Sequence, residues 1–304
     1  MDIGVHLPHL GRSASRDGVM EFAQDADRLG VHSVWTSDHI CWPAQLESKY
    51  PYTADGSFPA SNDMAWLDPL ATLLFVAGCT EDVRLGQTVL ILPYRPPVQT
   101  AKLIATLDVV SNGRTILGVG VGWMKEEFDV LQMPFDHRGA RADEQLEVFS
   151  RLFYDEAPSF DGTYYSFPEV RFEPKPLQNP VPVWVGGASE AALRRVVRHG
   201  HAFHAAFEDL ATLSGHWARI GELCDEAGRD RGEIGFSIRW YLDPAGRMPV
   251  EKSLYGSADQ MTDQLGQLAD IGVDHVLIDI TAPGGLEGRR EAMAQFMTEV
   301  APAS

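Results

Sequence analysis

The chain has 304 residues, 44% hydrophobic and 22% charged, which suffices for one large core and excludes a disordered or fibrous chain. Against 25 basic residues stand 43 acidic ones, a formal net charge of −18, so the surface repels nucleic acid and anionic lipid. No apolar run reaches the roughly 18 residues of a membrane-spanning helix.

The N-terminus, MDIGVHLPHL, reads as a strand over 2–7 and not as a secretory signal. Cys41, Cys79 and Cys224 are odd in number, widely spaced and form no CxxC, so a reducing, cytoplasmic setting is expected. In the first strand His6 alternates with Ile3, Val5 and Leu7; if those aliphatics face helices, His6 points inward, either as a satisfied buried histidine or into a pocket. A helix follows over 18–29, with Gly30 as its C′ glycine, then a strand over 32–36. Residues 40–67, rich in aromatics and proline, are too long for a simple connection and suggest a lid or pocket wall. Asp68-Pro69 reads as N-cap and first position of a helix through 79. Next come a strand at 84–90, a helix from Pro97 to 110, a strand at 115–120 and a helix at 138–154. Residues 155–180 look like an excursion with a small hairpin before a strand at 181–185. Helices at 189–199, 210–228, 257–271 and 287–299 then alternate with strands at 202–206, 234–240 and 274–280. Eight strands alternating with helices predict an α/β chain closed into a (β/α)8 barrel, with insertions after strand 2 and before strand 5; a doubly wound open sheet is the alternative. No low-complexity linker divides residues 1–304, so a single domain is expected.

Four stretches carry candidate chemistry. In LGVGVGW, Gly118, Gly120 and Gly122 alternate, the next residue is Trp123, and Glu126 and Glu127 stand where a pyrophosphate would meet a helix start. That spacing, after three strands, is not the dinucleotide fingerprint GxGxxG. A strand ending in alternating glycines instead bares one face, so that a flat ring can lie against the backbone. In WVGGASEAALRR, a strand runs through Gly186, Gly187, Ala188 and Ser189 into a helix, an arrangement whose free amides bind phosphate, or else an ordinary turn with a serine N-cap. Asp38-His39 ends strand 2, on the side where barrel chemistry is done; otherwise the Asp caps the loop and the His packs beneath it. His199, His201 and His204 are spaced H-x-H-x-x-H, but one ends a helix, another lies on a strand, and no nearby carboxylate or cysteine completes a metal set, so no metal is expected.

Taken together, SVWTSDHI, ILPYRPPVQTAKLIATLDVVSNGR, TILGVGVGW, FDHRGARADEQLEVF, PVPVWVGGASEAALRR and GSADQMTDQLGQLADIGVDHVLIDI resemble the bacterial luciferase-like superfamily of flavin- and F420-dependent oxidoreductases, across nearly the whole chain. The resemblance implies a TIM barrel holding a deazaflavin or flavin. An Asp-His pair after strand 2 is typical of F420-binding members, so coenzyme F420 is the expected cofactor and FMN the alternative. It further implies that His39 lies near the hydride-carrying carbon as hydrogen-bond partner or proton donor, with Asp38 shaping the ring contact. Thr88–Val89 is expected as a non-proline cis peptide beneath the central ring, Gly120 and Gly122 beside it, and Gly186 to Ser189 on the phosphate. Arg95 is either a partner for an anionic tail or substrate, or a surface residue. Two departures stand out. His201-Ala202-Phe203 replaces an Asp-Gly-Trp-like run, and Trp123 replaces the catalytic Glu of the sugar-phosphate dehydrogenases. The second favours an apolar pocket, with Trp42, Tyr52, Phe58 and Trp66 as lid candidates. The expectation is a homodimeric, F420-dependent oxidoreductase passing a hydride to or from a small, fairly apolar organic substrate. A monooxygenase using reduced FMN and oxygen, and a non-catalytic cofactor-binding barrel, are the rivals.

Overall fold

In the computed structural model, residues 1–53, 55–58 and 64–301 are described. Eight parallel strands carry the fold: β1 (Asp2–His6), β2 (Ser33–Thr36), β3 (Arg84–Gln87), β4 (Thr115–Gly120), β5 (Val183–Gly186), β6 (Ala202–Ala206), β7 (Gly235–Leu242) and β8 (His275–Ile280). Each pairs with the next, and β8 pairs back onto β1, with Asp2 opposite His275 and Val5 opposite Ile278. The barrel is therefore closed, and the open-sheet alternative is set aside. Its third strand is shorter than the predicted 84–90. The chain leaves the sheet after Gln87, passes the cis Thr88–Val89 peptide, and rejoins β4 at Leu90–Ile91.

Helices α1 (Arg16–Arg28), α2 (Pro69–Ala77) and α3 (Pro97–Val110) follow the first three strands. A short α4 (Lys125–Val130), absent from the sequence reading, precedes α5 (Arg138–Tyr154). Helices α6 (Glu190–His199), α7 (Leu210–Ala227), α8 (Ala258–Asp270) and α9 (Gly285–Glu299) complete the ring. Their starts follow the capping residues: Asp68 accepts from the Ala71 amide, Ser189 from Ala192, and Ser257 with Gln260 closes a capping box on α8. Gly30 takes φ +71°, the left-handed conformation that ends α1. The excursion before β5 does hold a hairpin, Phe160–Asp161 against Ser166–Phe167.

Alternation along the strands builds two shells. Outward residues such as Ile3, Val5, Leu7, Val34, Val185, Phe203 and Ile238 pack against the helices. Inside the barrel a separate cluster of Trp35, Ile116 and Leu277, with Trp184 against it, fills the middle. Trp35 needs glycines around it: a Cβ on Gly86 would lie 2.5 Å from its ring. His6 faces inward, as its alternation suggested, and hydrogen-bonds the Ser37 hydroxyl at 2.7 Å. Among the described residues no helix is long and apolar enough to cross a membrane.

Candidate active site

His39 follows the C-terminal end of β2, and Trp42, Phe58 and Trp66 of the following segment pack around it. Its Nδ1 is 2.7 Å from Oε2 of Glu127, a fully buried carboxylate on α4. The same carboxylate accepts from the amides of Ile40 and Cys41, at 2.6 and 3.2 Å, and from the Tyr94 hydroxyl at 2.8 Å. Burial alone would raise the Glu127 pKa, but the hydrogen bond and charge of His39, the Ile40 amide and Tyr94 outweigh it and hold the carboxyl below its ordinary range. Burial and Glu127 together keep the Tyr94 hydroxyl protonated. An ionised Glu127 can only accept, so Nδ1 of His39 carries the proton, and Nε2, on the far edge of the ring, has no hydrogen-bond partner among the described residues. Aromatic rings box the imidazole: Trp66 at 4.9 Å, Trp42 at 5.5 Å, Phe58 at 5.6 Å and Trp123 at 6.2 Å, all near edge-on. A cavity of about 140 Å3 opens beside it, lined by Ile40, Cys41, Trp42, Met64 and Trp66. Three of the four lid candidates therefore surround His39, while Tyr52 packs on Tyr50 at 5.3 Å. Position 54 and residues 59–63 of the expected lid lie outside the described residues.

Asp38 is buried, and its carboxylate is taken by the protein. Arg95 grips it with two bonds, at 2.5 and 2.9 Å, the Ile91 amide donates at 2.9 Å, and Arg95 also reaches Asp68, the α2 N-cap. Arg95 is thus neither a lone surface residue nor an unpaired anion receptor. It ties the end of β2 to the segment after β3. Deeper in the mouth, Arg239 pairs with Asp279 at 2.7 Å and donates to the Ser37 hydroxyl and the Thr88 carbonyl, both at 3.3 Å. His9 bridges the Leu7 carbonyl and the Ser37 backbone. Burial, then Arg239 and His9, drive the His6 pKa well down, and burial lowers His9 to about 4. The polar floor of the mouth is therefore held by neutral histidines around one buried guanidinium.

The alternating glycines serve the bulge after β3 directly. A Cβ on Gly118 would lie 1.7 Å from the Gln87 carbonyl oxygen; one on Gly120 would lie 2.3 Å from Val89 Cγ2, and one on Gly186 2.7 Å from Val89 Cγ1. The space beside these strands is filled by Val89, which rises where a ring was expected to meet bare backbone. Gly122, at φ +78°, turns the chain against Ile91 and Phe128. Gly187, at φ +100°, leads through Ala188 into Ser189, which caps α6; a Cβ there would touch only Ala192, at 3.4 Å. The three histidines of the H-x-H-x-x-H run part company: His201 Nδ1 accepts from the Val183 amide, while His204 lies inside the barrel between Ser237 and Thr88.

The matches to known proteins agree with this geometry. Residues 1–242 fit the model of the family described as luciferase-like monooxygenase. The chain belongs to the luciferase-like monooxygenase family. This family member is 33% identical over 261 residues to an uncharacterized protein of Mycobacterium tuberculosis (strain ATCC 25618 / H37Rv), covering 86% of this chain and 84% of that one. Its fold is similar to that of an F420-dependent secondary alcohol dehydrogenase in complex with an F420-acetone adduct, with TM-score 0.80, 18% identity, and 99% and 98% of the two chains covered. It is also similar to the FMN-bound oxygenating constituent of 3,6-diketocamphane monooxygenase from Pseudomonas putida, with TM-score 0.71, 17% identity, and 100% and 98% covered. A tricyclic cofactor suits the residues present in this luciferase-like chain. Val89 offers an apolar floor, His39 a ring nitrogen with no partner among the described residues, and Gly187 a turn into the start of α6. What sequence reading missed is Glu127, along with Ser37, Arg239 and Asp279.

Proposed function

We propose that the protein is an F420-dependent oxidoreductase that passes a hydride between the deazaflavin and a small, fairly apolar organic substrate. The observation that carries this reading is the His39–Glu127 pair inside its aromatic box. It presents one orientated imidazole nitrogen at the mouth of the barrel, in surroundings that favour apolar atoms and exclude water. When bound, the deazaflavin supplies two-electron hydride chemistry. The chain's own residues do the rest. Val89 and the bulge around it support the ring, and the amides from Gly187 to Ser189 take the phosphate. Glu127 fixes the His39 tautomer, and Nε2 accepts or returns the substrate proton that must move with the hydride. Trp42, Phe58, Trp66 and Trp123 hold an apolar substrate beside it. Asp38 acts through Arg95, bracing the segment that carries His39.

A second reading, reduced FMN with oxygen, draws support from the family's name and from the FMN-bound neighbour. Titration of the purified protein with F420 and with FMN separates the two. The expected result is low-micromolar or tighter binding of F420 and weaker binding of FMN, with ΔG of about −8 kcal/mol or better for the former. Tighter FMN binding, with oxygen consumed after reduction, would move the protein to the monooxygenase side. Failure to bind either would leave a barrel without this chemistry.

A further inference from the structure

The barrel interior contains polar residues that none of the chemistry above uses. At the N-terminal face, His32 meets Asp2 at 3.4 Å; it is partly exposed, with a quarter of its side chain accessible. From there a hydrogen-bonded line crosses the core. His32 Nδ1 meets Ser33 Oγ at 3.1 Å, and Ser33 Oγ meets His275 Nε2 at 3.0 Å. His275 Nδ1 meets Ser237 Oγ at 2.9 Å, Ser237 Oγ meets His204 Nδ1 at 2.9 Å, and His204 Nε2 meets Thr88 Oγ1 at 2.9 Å. The line therefore starts at the bottoms of β1, β2 and β8, passes through β7 and β6, and ends at the bulge after β3. All of its inner members are buried. Trp35 stacks on His204 at 5.1 Å and Trp184 lies edge-on to His275 at 4.8 Å, so aromatic rings flank the line. Gly4 makes the room: a Cβ there would sit 2.9 Å from both Ser33 Oγ and His275 Nε2.

Valence counting leaves this line few arrangements. The Trp35 indole can only donate, and it donates to Ser33 Oγ at 2.8 Å. Ser33 has one more acceptor site and one proton to give, so of His32 and His275 one ring donates to it and the other accepts. With neutral rings, and with each hydroxyl spending its one proton on a neighbour in the line, that choice sets every later bond. In one state each group donates toward Thr88; in the other each donates toward His32. We propose that this line is a proton relay between solvent at the N-terminal face and Thr88 on the floor of the cofactor site. A proton taken from water at His32 Nε2 sends the Nδ1 proton to Ser33, the Ser33 proton to His275 Nε2, and the His275 Nδ1 proton to Ser237. The Ser237 proton then goes to His204 Nδ1, the His204 Nε2 proton to Thr88 Oγ1, and the Thr88 hydroxyl proton to a basic atom of the bound cofactor or substrate. One proton enters and one leaves. The line passes from its first state to its second with no net charge left in the core, and a proton entering at Thr88 while one leaves His32 Nε2 runs the same steps backward and resets it. Burial keeps His204 and His275 far from protonation at neutral pH, as a neutral relay requires. The outlet rests on the reading of Thr88 as part of the cofactor floor; the line itself does not.

Exchange of ring protons with water tests it in the cofactor-free protein. With 15N-labelled histidine, the His275 N–H should exchange at least about tenfold faster than the indole N–H of Trp240, an equally buried donor bonded to the Glu208 carbonyl outside the line. His32→Phe removes the outer link and should slow His275 by at least about tenfold, leaving Trp240 unchanged. A wild-type signal lost to exchange that returns in His32→Phe counts the same way. Ser237→Ala gives a second break: with F420 or FMN bound above Thr88, the His204 proton should exchange more slowly than in the wild type. A His275 proton as slow as that of Trp240, or one indifferent to His32→Phe, would make the line a static polar layer, as would a His204 proton indifferent to Ser237→Ala. If neither cofactor binds, the proposed function fails, and the His275 measurement still decides the relay.

Discussion

His39 and Glu127 show how much one carboxylate decides at the scale of a residue. An imidazole alone has two tautomers and free rotation; an ionised, fully buried Glu127 at 2.7 Å leaves it one tautomer and one orientation. Glu127→Gln keeps the shape and removes the charge, so Nδ1 no longer has an obligatory acceptor. We expect a loss in single-turnover oxidation of bound F420H2 on the order of 10²-fold or more, with cofactor affinity changed much less. His39→Ala should lose about as much, and the double variant little more, because the two act as one unit. A wild-type rate in Glu127→Gln would show that the pair only packs. Half of this pair was legible in the sequence. Asp38-His39 follows a strand directly, so its place at the barrel mouth could be read from order alone. Glu127 lies 88 positions away, and only the closed barrel brings α4 beside β2. In the sequence its one visible property was negative charge at a helix start, which spoke against a pyrophosphate and pointed to no histidine.

At the scale of elements, the eight strands were legible because alternation and turn residues bracket each of them. The break in β3 was not, because TVLIL is as good a strand as its neighbours by residue type. The interruption was expected only by resemblance, and its support is long-range: Gly118 clears the Gln87 carbonyl, Gly120 and Gly186 clear Val89, and Arg95 fastens the far side. For the same reason the glycine run suggested a bare surface for a ring, when its nearest neighbour is another strand's bulge. Arg95 allows a direct test of this fastening. Both of its stronger bonds go to Asp38, whose side chain is wholly inaccessible, and removing one member of a buried ion pair strands the other. Arg95→Leu should cost about 3–5 kcal/mol in urea unfolding, and adding Asp38→Asn should restore part of it. Equal stability of Arg95→Leu and wild type would mean that the bulge holds without the pair.

At the scale of the whole molecule, the buried His6, His9, His204 and His275 are held neutral, and that sets its response to acid. Burial, and next the charge of Arg239, lower His6 well below its ordinary value and His204 to about 3. Burial brings His9 to about 4 against the pull of its backbone bonds, and burial with the charge of His32 holds His275 well below its ordinary value. In the unfolded chain each returns to about 6.5, so on acidification the unfolded state takes up protons first. The stability these groups contribute is complete above pH 6.5 and is lost as pH falls toward their folded values. For each histidine the folded-to-unfolded ratio drops by up to about tenfold per pH unit in that window. Net charge works in the opposite direction. At −18 the chain repels itself at neutral pH, and mild acidification relieves that repulsion. The two effects therefore predict opposite slopes, and four histidines outweigh a diffuse, salt-screened surface charge. Thermal unfolding should hold a level Tm from pH 8 to about 6.5 and fall steeply below it, with cooperative acid unfolding between about pH 5 and 4. Glu127, held below the ordinary carboxylate range, adds to the loss only below about pH 4.5. Calorimetry in buffers of different ionisation enthalpy should count about three or more protons taken up on unfolding near pH 5, and His204→Phe should lower that count by about one. A Tm that rises as pH falls from 7 to 5 would mean that charge repulsion, and not the buried imidazoles, governs this barrel.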